Sequence, residues 1–318
     1  MPACGPTVQP LRALRRAVRS AALSAPVLMV VAALLFSLMG ACVKLASARY
    51  GAGEIVMYRS VVGAAAMAAL LRRRGQSLAT PVPAMHLWRS GSGVVALVLW
   101  FYALGGLPLA AATALNAMSS VWIALALLGG AALASAAPAA VDRRLVAAVL
   151  AGFAGGVLVL QPTFEQRQAW HGFAALLSGL LAAVAYLQLA TLGRAGEPEE
   201  RVVLYFSLGG IVAGAAVALA ASGFAAHTAT GAVLLLAIGL LAAGGQWAMT
   251  RAFGRGATLG NAALQYLGIA FSFALGVGWL GDPFTWSALA GLVLIAGAGL
   301  SATLLGGGAA PSAGGVTR

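Results

Sequence analysis

Residues 102–122 read YALGGLPLAAATALNAMSSVW, and 149 residues later residues 251–271 read RAFGRGATLGNAALQYLGIAF. Aligned without gaps, Ala103, Gly105, Ala114 and Leu115 meet Ala252, Gly254, Ala263 and Leu264. Asn116 meets Gln265, and Trp122 meets Phe271. Each stretch passes from the end of an apolar helix through a tight glycine turn. A small-residue run, a Leu–amide pair and an aromatic follow in the same order. Gly105–Pro108 and Gly254–Ala257 each divide one long apolar region in two, because Gly and Pro interrupt helices. The chain therefore reads as two copies of one unit, joined near residues 162–171.

The composition says what surrounds these helices. Of 318 residues, 61% are hydrophobic and only 8% charged, against about a quarter charged in soluble domains. With a mean hydropathy of +0.95, the chain carries more apolar surface than a soluble fold can bury, so its solvent is lipid. The net charge of +12 would suggest nucleic acid in a soluble protein. Here the basic residues sit in short clusters between apolar spans, which fits the positive-inside rule and excludes a nucleic-acid partner. Cys4 and Cys42 form neither a disulfide framework nor a metal site.

Ten apolar spans are expected, near residues 26–46, 54–71, 90–107, 109–132, 145–161, 172–192, 202–221, 231–250, 257–280 and 286–305. Most reach the ~20 residues needed to cross a bilayer. The run Pro26–Val43 exceeds the 7–15-residue core of a signal peptide and reads as the first span. With both termini in the cytoplasm, fifteen of the nineteen basic residues fall on the inner side, Arg72, Arg73, Arg74 and Arg89 among them. Five spans per copy is an odd number, so tandem copies enter the membrane in opposite directions. The expected fold is an all-α polytopic membrane protein of two five-helix inverted repeats. Residues 1–24 form a basic cytoplasmic arm, 25–162 the first repeat, 172–305 the second, and 306–318 a disordered tail.

Several residues carry a family resemblance. They are Tyr58-Arg59, the run Trp100–Leu115 (WFYALGGLPLAAATAL), Gly152–Val157 ahead of Gln161-Pro162, Gly281-Asp282, and Gly291–Gly297. In this order, on ten spans, the chain resembles the ten-helix drug/metabolite transporter superfamily of the EamA type. The resemblance implies two EamA-like repeats and transport of a small molecule such as an amino acid, a nucleotide-linked metabolite, a vitamin or a drug. It departs at Leu133, where the family has an acid after the fourth helix. It departs again at Ser119-Ser120 and Gly268, where a Pro is common.

Polar groups inside membrane spans are costly and therefore informative. The amides within spans are Asn116, Gln188, Gln246, Asn261 and Gln265. Asn261 and Gln265 are four apart and share a helix face. Asn116 and Gln265, as equivalents in the repeat, would both point into a central cavity, although amides also join helices. Trp100, Tyr102, Trp122, Tyr186, Trp247 and Tyr266 are candidate aromatic walls for a flat or amphipathic substrate. Trp88, Trp170, Trp279 and Trp286 lie near span ends and read as interfacial anchors. Arg59, five residues beyond Glu54, is placed in a vestibule where it could attract an anionic substrate group or hold a gate through Glu54.

The candidate substrate-binding set is thus Arg59, Trp100, Asn116, Tyr186, Gln246, Trp247, Asn261, Gln265 and Tyr266. No acid lies near the middle of a span, and His86, His171 and His227 fall in expected loops with no nucleophile or metal partner. Glu197, Glu199 and Glu200 read as a solvated inner loop leading into the seventh span. Catalytic residues, cofactors and metals are therefore not expected. The expected activity is secondary transport of a small polar or amphipathic metabolite by alternating access. The setting would be a bacterial inner membrane, with lipid around a monomer or homodimer. The alternatives are a membrane enzyme acting on lipid-linked substrates and a non-transporting membrane scaffold.

Overall fold

The computed structural model describes residues 24–123, 143–160, 169–221, 223–255 and 258–282, together with residue 126 and short pieces between 284 and 301. The basic arm before residue 24, the end of the fourth span, the join between the expected repeats, most of the tenth span and the tail lie outside the described residues.

Helix α1 spans Ala25–Ala46, α2 Ala52–Arg73, α3 Pro83–Gly106, α4 Leu109–Asn116 and α5 Arg143–Leu160. Then come α6 Ala169–Arg194, α7 Glu199–Ala221, α8 Ala229–Gly254, α9 Thr258–Leu264 and α10 Leu267–Leu275, the last running into a π-helical turn, Gly276–Leu280. No strand occurs among the described residues. Seven helices there are long and apolar enough to cross a membrane, the seventh running Gly260–Leu280 through α9 and α10. Two shorter apolar helices, Leu109–Ile123 and Val146–Gly155, accompany them.

Local sequence sets the ends. Pro83 opens α3, where a missing N–H costs nothing, and Leu107 ahead of Pro108 is extended (φ −113°, ψ 157°), which closes it. Thr228 caps α8, its side chain accepting from the Gly231 N–H. Glu54 in the first turn of α2 and Arg72 and Arg73 in its last turn complement the helix dipole.

The helices pack as a bundle with apolar exteriors. Leu87, Val212, Leu219 and Val233 are more than two-thirds exposed, as lipid-facing side chains should be. The most extensive packing is between α2 and α7, α3 and α6, and α1 and α8. These contacts come in matched sets. Exchanging α1 with α6, α2 with α7 and α3 with α8 turns α1 on α8 into α6 on α3, and α2 on α8 into α7 on α3, both of which occur. The α2–α7 pair maps onto itself. Its backbones nearly touch at Gly214, where an added Cβ would lie 2.6 Å from the Met57 nitrogen and 2.8 Å from the Gly53 oxygen. Only glycine permits that approach.

At one end of the bundle, acids and bases meet. Glu200 accepts from Arg74 Nη1 at 2.6 Å and from Trp247 Nε1 at 2.9 Å. Glu197 pairs with His86 at 3.1 Å and with Arg201 at 3.1 Å. Glu197 and Glu200 are buried, which corrects the expectation of a solvated loop. His86 lies within α3 and His171 within α6, rather than in loops. At the opposite end His227 sits in the α7–α8 loop against Tyr58 and Tyr50. Lys44 donates to the Leu107 carbonyl at 2.8 Å. Trp88, Trp170, Trp279 and Trp286 are all more than half exposed.

Candidate functional site

Two of the apolar helices are interrupted inside the bundle. After Asn116 the chain leaves α-helical geometry at Ala117–Met118 and resumes at Ser119. After Leu264 it does the same at Gln265–Tyr266. Hydrogen bonds tighten to i−3 there, with Met118 N bonding Leu115 O and Gly268 N bonding Gln265 O. In a lipid-facing helix such a break would strand backbone groups, so it is tolerated where it is buried in protein or lines a cavity. Ser119-Ser120 and Gly268, in the places where proline is common in the resembled family, lie at or beside these breaks.

Hydroxyls brace the interrupted region. Ser120 Oγ donates to the Ala262 carbonyl of α9. Ser37 Oγ of α1 donates to the Gly268 carbonyl at 2.9 Å, and Ser272 Oγ donates to Ser37 Oγ at 3.2 Å. Thr113 Oγ1 of α4 lies 3.1 Å from Ser272 Oγ. Asn116 Nδ2 donates to Ser178 Oγ at 2.7 Å, and Ser178 Oγ donates in turn to the Ala96 carbonyl at 2.7 Å. These bonds join α1, α4 and α10 on one side and α3, α4 and α6 on the other.

Beside the breaks lies a cavity of about 100 Å³. Arg59, Trp100, Asn116, Tyr186, Gln246 and Gln265 all line it. These are six of the nine residues singled out from the sequence. The other three lie elsewhere. Trp247 is turned to Glu200. Asn261 donates to the Ala252 carbonyl at 2.8 Å, near the end of α8. Tyr266 packs with Ala110, Ala114, Ala117 and Ile269. Asn261 and Gln265 would share a face on a continuous helix, but the break at Gln265 ends that register. Gln188, the remaining amide, is half-buried and its Oε1 lies 3.3 Å from Thr191 Oγ1.

Arg59 occupies a deeper place than an outer vestibule. It is 2% exposed and lines the cavity. Glu54 does not hold it; that carboxylate accepts from the Ala225 N–H at 3.2 Å. Opposite stands Arg89, also 2% exposed and on the cavity wall, whereas the sequence alone puts it in an inner loop. The span begins at Pro83, so Arg89 is almost two turns inside α3, and Pro83 is the signal that could have shown it. Both guanidinium carbons lie over the ring of Phe206, at 5.5 Å for Arg59 and 4.5 Å for Arg89. Gly93, one turn beyond Arg89, makes room for it: an added Cβ would run into Arg89 Nη1. Phe206 and Gly93 carry no signal in a sequence this rich in Phe and Gly. Tyr186 stacks on Phe253 at 5.4 Å and closes one side.

The wall is thus mixed. Met29, Ala32, Ala33, Leu97 and Met249 supply apolar surface, and a few polar groups converge on it, the usual make-up of a small-molecule site. Among the described residues no group of His, Cys, Asp and Glu could hold a metal ion.

Comparison with known proteins adds to this picture. No protein-family model matches the chain. The pseudopaline exporter CntI of Pseudomonas aeruginosa strain UCBPP-PA14 is 33% identical over 275 residues, covering 86% of this chain and 92% of the exporter. The CntI of strain PAO1 matches at the same identity and coverage. A solved crystal structure shares the fold with a TM-score of 0.72 and 21% identity, covering 88% of this chain and 98% of the other.

Proposed function

The chain belongs to the family of the pseudopaline exporter CntI, and from that premise we propose that it is a membrane transporter that exports a small metabolite by alternating access. It is a transporter rather than an enzyme, as its relatives are, and an integral multi-pass membrane protein. The observation that carries the mechanism is the cavity at the paired helix interruptions beside Asn116 and Gln265. Secondary transporters built from inverted repeats bind substrate at such discontinuous helices between their halves.

The finer reading is that residues 25–162 and 172–305 are inverted repeats of the EamA-type drug/metabolite transporter superfamily. Ten spans would then lie in a bacterial inner membrane with both termini cytoplasmic. The matched helix contacts support this. So does the gathering of Arg74, Arg201 and Arg251 at one end of the bundle, where the positive-inside rule puts the cytoplasm. Substrate would contact Arg59, Trp100, Asn116, Tyr186, Gln246 and Gln265. In this reading, the Glu197 and Glu200 ion pairs close the bundle on the cytoplasmic side and part when the halves rock.

The test is export. The chain is expressed in a bacterium that makes pseudopaline but lacks its exporter, and the compound is measured in the medium. A labelled panel of amino acids and vitamins is tested in parallel in proteoliposomes. Export or exchange of at least one compound, reduced by Asn116→Ala with Gln265→Ala at equal membrane abundance, is expected. Folded protein that moves none of them, or a double variant that moves them as well as wild type, refutes the assignment.

A further inference from the structure

Two guanidiniums are buried in this cavity with hydrogen-bond donors unused. Among the described residues, no acceptor reaches Nε or Nη1 of Arg59, Nε or Nη1 of Arg89, or Nε1 of Trp100. Among the described residues, no carboxylate lines the cavity. The acids of the neighbouring helices are turned elsewhere: Glu54 Oε2 accepts from the Ala225 N–H while its Oε1 has no partner among the described residues, Glu197 pairs with His86 and Arg201, and Glu200 with Arg74 and Trp247. Phe206 offers its face to both cations, but a ring quadrupole does not satisfy an N–H fork. A buried charge is costly unless paired and hydrogen-bonded, and inside a membrane it marks a functional group.

We propose that Arg59 and Arg89 together form an anion-binding subsite that receives a carboxylate group of the transported molecule. The claim rests on the transporter reading and names the class of its substrate: a small, acceptor-rich organic acid. The two planar forks match the planar carboxylate. Gly93 lets the Arg89 guanidinium fold back along its own helix onto Phe206, which fixes the fork before ligand arrives. Trp100 Nε1 and Gln265 Nε2, also without partners among the described residues, give further donors along the same wall, and Gln246 Oε1 is an acceptor there without a partner, so the rest of the ligand carries further acceptors and a donor. Cationic drugs meet like charge here and are excluded.

The experiment is thermal stabilisation of the full-length protein in detergent. The probes are glutarate and citrate, with glutaramide as the neutral isostere of glutarate and inorganic phosphate as a competing anion. Saturable stabilisation by a carboxylate and none by glutaramide is expected. Arg59→Gln and Arg89→Gln should each weaken the carboxylate about ten- to hundredfold, the worth of a charge-assisted hydrogen bond. Arg59→Lys, which keeps the charge and loses the fork, should fall between. Four results overturn the proposal: equal stabilisation by glutaramide, stabilisation by phosphate alone, no response to any carboxylate, or full retention of the response in both glutamine variants. If the carboxylates fail while the export assay above succeeds, the anion subsite falls and the transporter reading stands. If carboxylates bind and nothing is transported, the subsite stands as an anion site and the transporter reading falls.

Discussion

Replacing Arg89 by methionine should make the ligand-free protein more stable while disabling it. Arg89 Nε and Nη1 are buried without acceptors among the described residues, and each unsatisfied buried donor costs about 1–3 kcal/mol. Against this, the Phe206 ring 4.5 Å away contributes about 2 kcal/mol when desolvated. Methionine keeps most of the side-chain length and adapts to irregular space, so little cavity is left behind. Relief of like charge from Arg59 adds in the same direction. The balance is a gain of about 1–4 kcal/mol, comparable to replacing buried ionic groups by apolar residues of similar volume. The assay is thermal unfolding in detergent without added organic anions, where about 1 kcal/mol moves Tm by roughly 2–4 °C in domains of 150–250 residues. Export should be lost in the same variant. A Tm equal to or below that of wild type would refute the reasoning, because it would mean that the guanidinium is already satisfied in the empty protein.

Gln265→Ala should leave stability within about 1 kcal/mol, since Gln265 Nε2 bonds nothing among the described residues, yet it should lower transport. Asn116→Ala breaks the Asn116–Ser178–Ala96 relay and should cost about 1–2 kcal/mol in thermal melts, as interhelical amides do. Gly93→Ala brings a methyl against Arg89 Nη1; carboxylate affinity should fall about tenfold or more by titration, with the fold retained. Glu200→Gln removes the partner of Arg74 and weakens the bond from Trp247. Because Arg74 is 44% exposed, the loss should be only about 1–3 kcal/mol, accompanied by a change in tryptophan emission.

Composition alone announces the membrane, and charge clusters with Gly and Pro punctuation locate most helices. Asn116 and Gln265 stand out in the sequence because each follows a small-residue run and a Leu, and both line the cavity. What escapes depends on rotation and depth. Arg89 escapes because the expected third span begins at residue 90, although Pro83 is a good first residue for a helix. Asn261 lies before the α9–α10 break and Gln265 and Tyr266 within it, and four-residue spacing predicts a shared face only along an unbroken helix. Trp247 sits one position from Gln246 on α8, about 100° round the axis, and so faces Glu200 instead. The burial of Glu197 and Glu200 cannot be read locally. It arises from Arg74 and His86, more than a hundred residues earlier in the chain.

The hydroxyl chain Thr113–Ser272–Ser37 has a mechanical consequence. Each member both donates and accepts, and Ser37 Oγ lies 2.9 Å from both the Ala33 and the Gly268 carbonyls. A carboxylate facing a lysine has one satisfactory partner and resists sliding. A row of rotatable hydroxyls can re-aim each O–H to the next acceptor. Under the proposed rocking, the α1–α4–α10 seam would therefore act as a bearing, in which displacement exchanges bonds without leaving one broken in a medium that supplies no replacement.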